Sequence, residues 1–341
     1  MLHQWLTNNF TRFAVLLLIL TLATNEAYAE RNVLFLWWNV ENLFDTQDDP
    51  LHKDEEFTPT GKLQWTDKRL LLKQMRIRHV MSAVKAHPDY GKYPDVVGFA
   101  EVENQRVFMA TLSGLSGMSY KPIYFESLDP RGIDVALAYN PQTLRPGFSK
   151  AYTVNNKRTR KIIVAQFSVS GKPFHVILNH WTSRAFDQQL SEIKRIAAAK
   201  VVRHIVDSLL VNNQNADVVV MGDFNDEAND ISLQQTLGSS FNAAQVKSAK
   251  GKLLYNCWSG YKGIGSYFYK NKWQQIDHIL LTPGMLDKSG LSAPNNGFHC
   301  FAFSQLLNVD GKGTYATYEK RKYKGGYADH LPLLLKAKVM K

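Results

Sequence analysis

Residues 217–225, DVVVMGDFN, form a short β-branched run that stops abruptly at Gly222, Asp223, Phe224 and Asn225. A run of about five apolar residues bounded by polar and glycine residues has the length of a buried strand. The carboxylate and amide at its end are either ordinary turn formers or chemistry. Recurrence decides between the two. Residues 33–38 run into Asn39, 95–100 into Glu101, and 174–178 into Asn179 and His180; 276–281 opens on Asp277 and His278, and 331–339 follows Asp329 and His330. Six such coincidences in one chain are too many for turn punctuation.

Two further runs, 135–139 and 162–169, have the same character, while two stretches carry helical period instead. After Thr66 as N-cap, Leu71, Leu72, Met75, Val80 and Val84 recur until Pro88; later, Leu190, Ile193, Ala197, Val201, Ile205 and Leu209 are spaced by three or four. Strands outnumber helices, and several are joined by links too short for a crossover helix. The pattern predicts an α/β protein of mixed, largely antiparallel sheets covered by helices. With no repeat and no linker, residues 30–341 read as a single domain.

The composition narrows the chemistry. In 341 residues, 45% are apolar and 21% charged, which excludes a disordered chain, and two cysteines exclude a disulfide-dense scaffold and a thiolate zinc site. Cys257 and Cys300 fit either a bridge or two thiols. Residues 1–29 read as a cleaved signal peptide: Arg12, a run of about ten apolar residues (too short for the roughly 20 that span a bilayer), then Ala27-Tyr28-Ala29. Export to the periplasm or medium is the expectation. Residues 247–341 hold 15 Lys+Arg against 5 Asp+Glu, so nearly all of the net charge of +11 lies in the last third. That distribution suits a polyanion.

Carboxylate and amide oxygens without thiolates are ligands for a hard divalent cation, Mg²⁺ or Mn²⁺ first and Ca²⁺ as the alternative. Histidines beside such a cation suit phosphate-ester hydrolysis. The sequence has no serine-nucleophile elbow, Walker loop, dinucleotide loop or His-Glu-x-x-His run.

Seven segments in order carry a resemblance: Trp38 to Asn42, Phe99 to Glu103, Arg131 to Ala136, Asn179-His180-Trp181, Gly222 to Asn225, Ile276 to Ile279, and Ala328 to Pro332. Together they resemble the endonuclease/exonuclease/phosphatase family, which is deoxyribonuclease I-like, and within it a bacterial branch of extracellular nucleases. The resemblance implies a four-layer α/β sandwich, two mixed, mostly antiparallel sheets packed face to face with helices outside. It implies Glu101 as principal metal ligand with Asn39 and Asp329 beside it, and Asp223 as the group that orients and deprotonates water. Asn225 would hold that water or a phosphate oxygen. His330, oriented by Asp277, and His180 would face the phosphate, with Asp134 as the expected carboxylate partner of His180 and His278 as a bystander.

Basic-aromatic stretches precede Asp277 and Asp329, and Lys320, Arg321, Lys322 and Lys324, with Arg184, are the expected substrate contacts. The cluster Lys157, Arg158, Arg160 and Lys161 reads instead as a solvated turn. A nucleic acid is the expected substrate of a monomer with no stable protein partner. A phosphatase or phospholipase C-like enzyme acting on an anionic lipid or sugar phosphate is the alternative, and a catalytically inactive binding module the alternative of another class.

Overall fold

The computed structural model describes residues 31–155, 158–185 and 187–341; the expected leader at 1–29 and Lys157 lie outside them. Residues Val33–Lys341 form one compact unit. All eight runs read from the sequence are strands, with bounds that shift by at most five residues.

The first sheet contains β1 (Asn32–Leu43), β2 (Val96–Val102), β3 (Lys121–Tyr124) and β4 (Asp134–Tyr139). The second contains β5 (Arg145–Tyr152), β6 (Ile162–Val169), β7 (Lys172–His180), β8 (Val218–Asp223), β9 (Ser239–Ser240), β10 (Leu254–Asn256) and β13 (Asp277–Leu281). Between the last two lies the hairpin of β11 (Tyr267–Tyr269) and β12 (Lys272–Gln274). β14 (Leu291–Ser292), β15 (Phe298–Cys300) and β18 (Leu333–Val339) return to the first sheet, and β16 (Tyr318–Glu319) and β17 (Lys322–Tyr323) form a second hairpin. The strand orders are β14-β18-β1-β2-β4-β3, with β15 also on β18, and β5-β6-β7-β8-β13-β10-β9.

Parallel pairs need crossovers, and helices supply them. β1 and β2 are parallel and joined through α1 (Asp67–Ala86); β7 and β8 are parallel and joined through α3 (Gln188–Asn212). The remaining helices are α2 (Gln105–Ser113) and the short α4 (Ala243–Ser248), which links the parallel β9 and β10. Strand alternation in the second sheet builds the layers. Val219, Met221, Leu178 and Ile279 face the first sheet, while Val218, Val220, Ile177 and Leu280 pack under Ala198, Val202, Ile205 and Val206 of α3. Phe35 meets Phe174 across the sheets, edge to face at 5.7 Å. On the other side of the first sheet, Ile77, Val80, Met81 and Val84 of α1 are buried in the same core. The fold is the expected α/β sandwich of two mixed sheets between helices. No helix among the described residues is long and apolar enough to cross a membrane.

Both helical stripes differ from the sequence reading. On α1, Leu71 and Met75 are exposed while Lys73 is buried; on α3, Leu190 and Ile193 are exposed while Ser191 and Arg195 are buried. Apolar periodicity misplaces these faces because each contains a charged peg whose partners are distant in sequence. Lys73 Nζ donates to Thr317 Oγ1 and the Tyr327 carbonyl, and Arg195 pairs with Asp226 at 2.8 Å. Cys257 and Cys300 are buried free thiols.

Gly222 sits where β8 passes closest to β7: a Cβ there would lie 2.4 Å from the Asn179 carbonyl oxygen, which is backbone and cannot give way. Gly222→Ala should therefore cost at least about 1–3 kcal/mol by overpacking. Chemical denaturation measures this, and a melt superimposable on wild type would show that the strands can separate there freely.

Candidate active site

The two sheets bring their strand ends to one place. Antiparallel register sets Asp277 opposite Asp223, and parallel register sets His180 beside Asp223 on the other flank. From the first sheet, Asn39 pairs in register with Ala100, next to Glu101. Local backbone distortion then re-aims the side chains. Residues 40–42 are accommodated against Glu101 alone, and Glu101 is again the extra residue between β2 and β4. Glu41, Asn42, Glu101 and Asn225 all have left-handed φ, from 52° to 62°. Such conformations cost about 1–3 kcal/mol each in non-glycine residues and persist where surrounding structure imposes them. Here the Glu101 carboxylate accepts from Asn42 N at 3.1 Å, and the Asn39 amide oxygen accepts from Glu41 N at 3.1 Å.

Asp223 is the hub. Its Oδ2 accepts from Asn39 Nδ2 at 3.1 Å and its Oδ1 from Asn225 N at 2.9 Å. His180 Nε2 lies 3.6 Å and His330 Nε2 3.9 Å from Oδ2. Burial, with the Asp277 charge adding to it, raises the Asp223 carboxyl to about 7. His330 Nδ1 is 2.6 Å from Asp277 Oδ2, which also accepts from Ser266 Oγ at 2.7 Å, while Asp277 Oδ1 accepts from Trp37 Nε1 at 2.9 Å. Burial alone would lower the His330 pKa, but the Asp277, Asp329 and Asp223 charges hold it well above the imidazole range. Burial would likewise raise Asp277, yet His330 and the donated hydrogen bonds keep it below its ordinary value. His180 goes the other way: burial, then Arg160, Arg131 and His330, push it well below 6.5. The site therefore holds one cationic and one neutral imidazole.

Three acidic groupings could hold a cation, one of them Asp49, His52 and Glu126. Asp223, Asp277 and His330 also place ligand atoms within 4.8 Å of one another. The donors on Asp277 already occupy both of its oxygens, so this second group is better described as a hydrogen-bonded Asp277–His330 pair with Asp223 beside it. Glu101 and Asp329 are different. Both are partly exposed, and burial, with the Glu101 charge, raises Asp329 to about 6. Two carboxylates near enough for their charges to repel are a hard-cation donor set.

Several expected placements need correction. Asp134 does not pair with His180; its Oδ2 accepts from Tyr124 Oη at 3.0 Å and Ser127 N at 3.1 Å, because register turns it toward β3 and the following loop. Arg184 is held by the 225–230 loop, donating to the Asn225 carbonyl at 2.5 Å and pairing with Asp230 at 3.1 Å, so it braces that loop. Arg160 is no solvated turn residue: it is buried, paired with Asp129 at 2.8 Å and donating to the Trp181 carbonyl at 2.6 Å. Both Trp37 and Trp38 are buried, and Trp38 Nε1 donates to the His330 carbonyl at 2.9 Å. His278 is a bystander, fixed by Asn256 and the Asp226 carbonyl. Lys320, Arg321, Lys322 and Lys324 lie on the exposed β16–β17 hairpin, whose base is tied to the site strand because Glu41 accepts from Thr317 N and Tyr318 N at 2.6 and 2.9 Å. Sequence reading missed Ser266, whose only signal was proximity to Asp277, while Tyr267 belongs to the basic-aromatic stretch expected to meet substrate and its ring lies 4.7 Å from that of His330.

Comparison with known proteins gives a consistent result. The family model described as "Endonuclease/Exonuclease/phosphatase family" matches residues 34–339. A protein of that family from Bacteroides thetaiotaomicron has a similar structure at 14% identity, covering 92% of this chain and 96% of its own, with TM-score 0.57. TDP2 from D. rerio, solved with a single-strand DNA product, is similar at 14% identity, 90% and 99% coverage and TM-score 0.56. A mannosyl-6-phosphatase from B. thetaiotaomicron VPI-5482 is similar at 15% identity, 91% and 100% coverage and TM-score 0.54. At these identities the likeness is one of fold. No curated protein matches the sequence.

The charge states are testable in metal-free protein. His330 should titrate well above 6.5 by histidine NMR and at a lower pH in Asp277→Asn, where only the Asp329 and Asp223 charges still oppose burial. A raised folded-state pKa gives stability that is present below the unfolded value and fades as pH rises through the folded one. Asp277→Asn should accordingly destabilise more at pH near 6 than above the folded His330 pKa. An unmoved His330 titration would contradict the pairing.

Proposed function

The chain belongs to the endonuclease/exonuclease/phosphatase family, whose members are phosphoric ester hydrolases that use divalent metals, and from that premise we propose that it is an exported phosphodiesterase cleaving nucleic acid, DNA first and RNA second. The observation that carries the reading is the convergence of a cationic His330 and a neutral His180 on the single carboxylate of Asp223, 3.9 and 3.6 Å away.

Each group then has a role set by its environment. With its pKa near 7, Asp223 would take a proton from an attacking water around neutral pH, its oxygens steered by Asn39 and the Asn225 backbone. Asn225, whose amide donates to the Trp181 carbonyl at 3.1 Å, would present its own amide oxygen to the water. His330, kept charged by Asp277, would neutralise negative charge growing on the phosphoryl oxygens. His180 would share a proton with the leaving oxygen. Glu101 and Asp329, with Asn39, would hold Mg²⁺ or Mn²⁺, which when bound supplies Lewis-acid stabilisation of the same charge. The leader at 1–29 supports export, and the exposed cations at Lys320, Arg321, Lys322 and Lys324 support a polyanionic substrate.

A specific observation favours a second reading. Leu51 and Leu128 are exposed and line a groove of about 670 Å³ beside Asp129, together with His52, Lys53 and Pro130. Exposed apolar side chains on a phosphoesterase suit a lipid phosphate. The intact constellation argues against an inactive binding module.

Purified protein should cleave plasmid DNA with Mg²⁺ or Mn²⁺ and lose activity in EDTA. Cleavage of sphingomyelin but of no nucleic acid would replace the first reading with the second. Asp223→Ala and His330→Ala should each lower kcat by roughly 10²–10⁴-fold without unfolding the protein, and wild-type rates in either would refute the assignments. Charge-neutral replacements at Lys320, Arg321, Lys322 and Lys324 should raise KM for DNA and flatten its salt dependence by about 0.9 in the log–log slope for each phosphate no longer neutralised. An unchanged slope would take the hairpin out of the substrate path.

A further inference from the structure

A cavity of about 110 Å³ lies against His180 and is lined also by Arg158, Arg160, Trp181, Thr182 and Lys194. Among the described residues, no Asp or Glu lines it. Its volume well exceeds the roughly 30 Å³ share of one water and is ample for a tetrahedral oxyanion. Two of its walls carry buried nitrogen atoms without a hydrogen-bond partner: His180 Nδ1 and Arg160 Nε. Those residues are 5% and 8% exposed, so bulk water does not satisfy them. The remaining guanidinium nitrogens of Arg160 are already engaged, by Asp129 on one side and the Trp181 carbonyl on the other.

Unpartnered buried donors are rare because each forfeits its hydration. His180 Nε2 lies 3.6 Å from Asp223 Oδ2, beyond hydrogen-bond distance, so the single N–H of the neutral ring is free to sit on Nδ1. The carboxylate expected there, Asp134, is bonded to Tyr124 and Ser127 and does not line the cavity. Among the described residues, neither nitrogen has an acceptor. Arg158 and Lys194 are exposed and add positive charge to the lining, so the acceptor that fits is an anion.

We propose that this cavity is a second phosphate site, in which a phosphate accepts hydrogen bonds from Arg160 Nε and His180 Nδ1 and thereby fixes the orientation of the His180 imidazole toward Asp223. Free orthophosphate and a non-scissile phosphate of the substrate present the same chemistry. Occupancy also offsets the positive surroundings that hold His180 well below its ordinary range, so phosphate should raise its pKa. Binding stands apart from the proposed hydrolysis; only its effect on turnover rests on that reading.

The test uses whole protein in EDTA, which separates it from metal-dependent activity. Equilibrium dialysis with labelled orthophosphate should show one saturable site, and phosphate should shift the His180 ring resonances and raise their titration midpoint. Arg158→Glu combined with Lys194→Glu should weaken binding by about tenfold or more while leaving the thermal melt near that of wild type, since both side chains are exposed. In separate turnover assays with Mg²⁺, a 5′-phosphorylated dinucleotide compared with its dephosphorylated form distinguishes the sources. A KM advantage of the phosphorylated form that shrinks in the double variant identifies a substrate phosphate, and an unchanged advantage with lost orthophosphate binding identifies the free ion. No saturable binding, or binding that leaves His180 unmoved or the double variant unaffected, would overturn the proposal whether or not the protein hydrolyses DNA.

Discussion

Asp277 and His330 place a carboxylate and an imidazole 2.6 Å apart in a buried setting, and the chemistry at this end of the sandwich depends on that contact. Separating the pair would leave an uncompensated buried charge, an outcome far costlier than never having buried one. The structure therefore over-determines it. Trp37 from β1 and Ser266 from the loop before β11 both donate to Asp277, and Trp38 holds the backbone of His330. Because Trp37 belongs to one sheet and Asp277 to the other, these bonds also fix how the two strand ends face each other. Asp223 inherits its position from the same register, and its pKa is raised by burial first and by the Asp277 charge second.

The site is completed by distortion. Glu101, Glu41, Asn42 and Asn225 are left-handed, and the bulges around Glu101 aim its carboxylate where a regular strand would not. The 315–327 segment closes the margin. Glu41 binds its backbone while Lys73, rising from α1, meets the same residue, Thr317, through its hydroxyl. The basic hairpin is consequently mounted on the same framework as the acids it adjoins.

Much of this was legible in the sequence because strand ends carry local signals. Every run that ended in an acid, amide or histidine is a strand, and Asn39, Glu101, His180, Asp223, Asp277, Asp329 and His330 gather at one end of the sandwich. What could not be read depends on contacts tens to hundreds of residues apart. The bond from Trp37 to Asp277 spans 240 positions, and nothing around Arg160 announces that Asp129 and Trp181 will bury it. The helix faces were misjudged for the same reason, since Lys73 and Arg195 are buried through partners that periodicity does not contain. Asp134 failed differently: its place beside the motif was right, but Tyr124 and Ser127 claim the carboxylate oxygen that His180 was expected to use.

The central claim is that a divalent cation and the hydrogen-bonded Asp277–His330 pair occupy adjacent but separate positions. Anomalous diffraction from crystals grown with Mn²⁺ tests it most directly. The account requires a peak about 2.0–2.3 Å from oxygens of Glu101 and Asp329, with the His330–Asp277 bond intact. A peak ligated instead by Asp277 or His330 would contradict it.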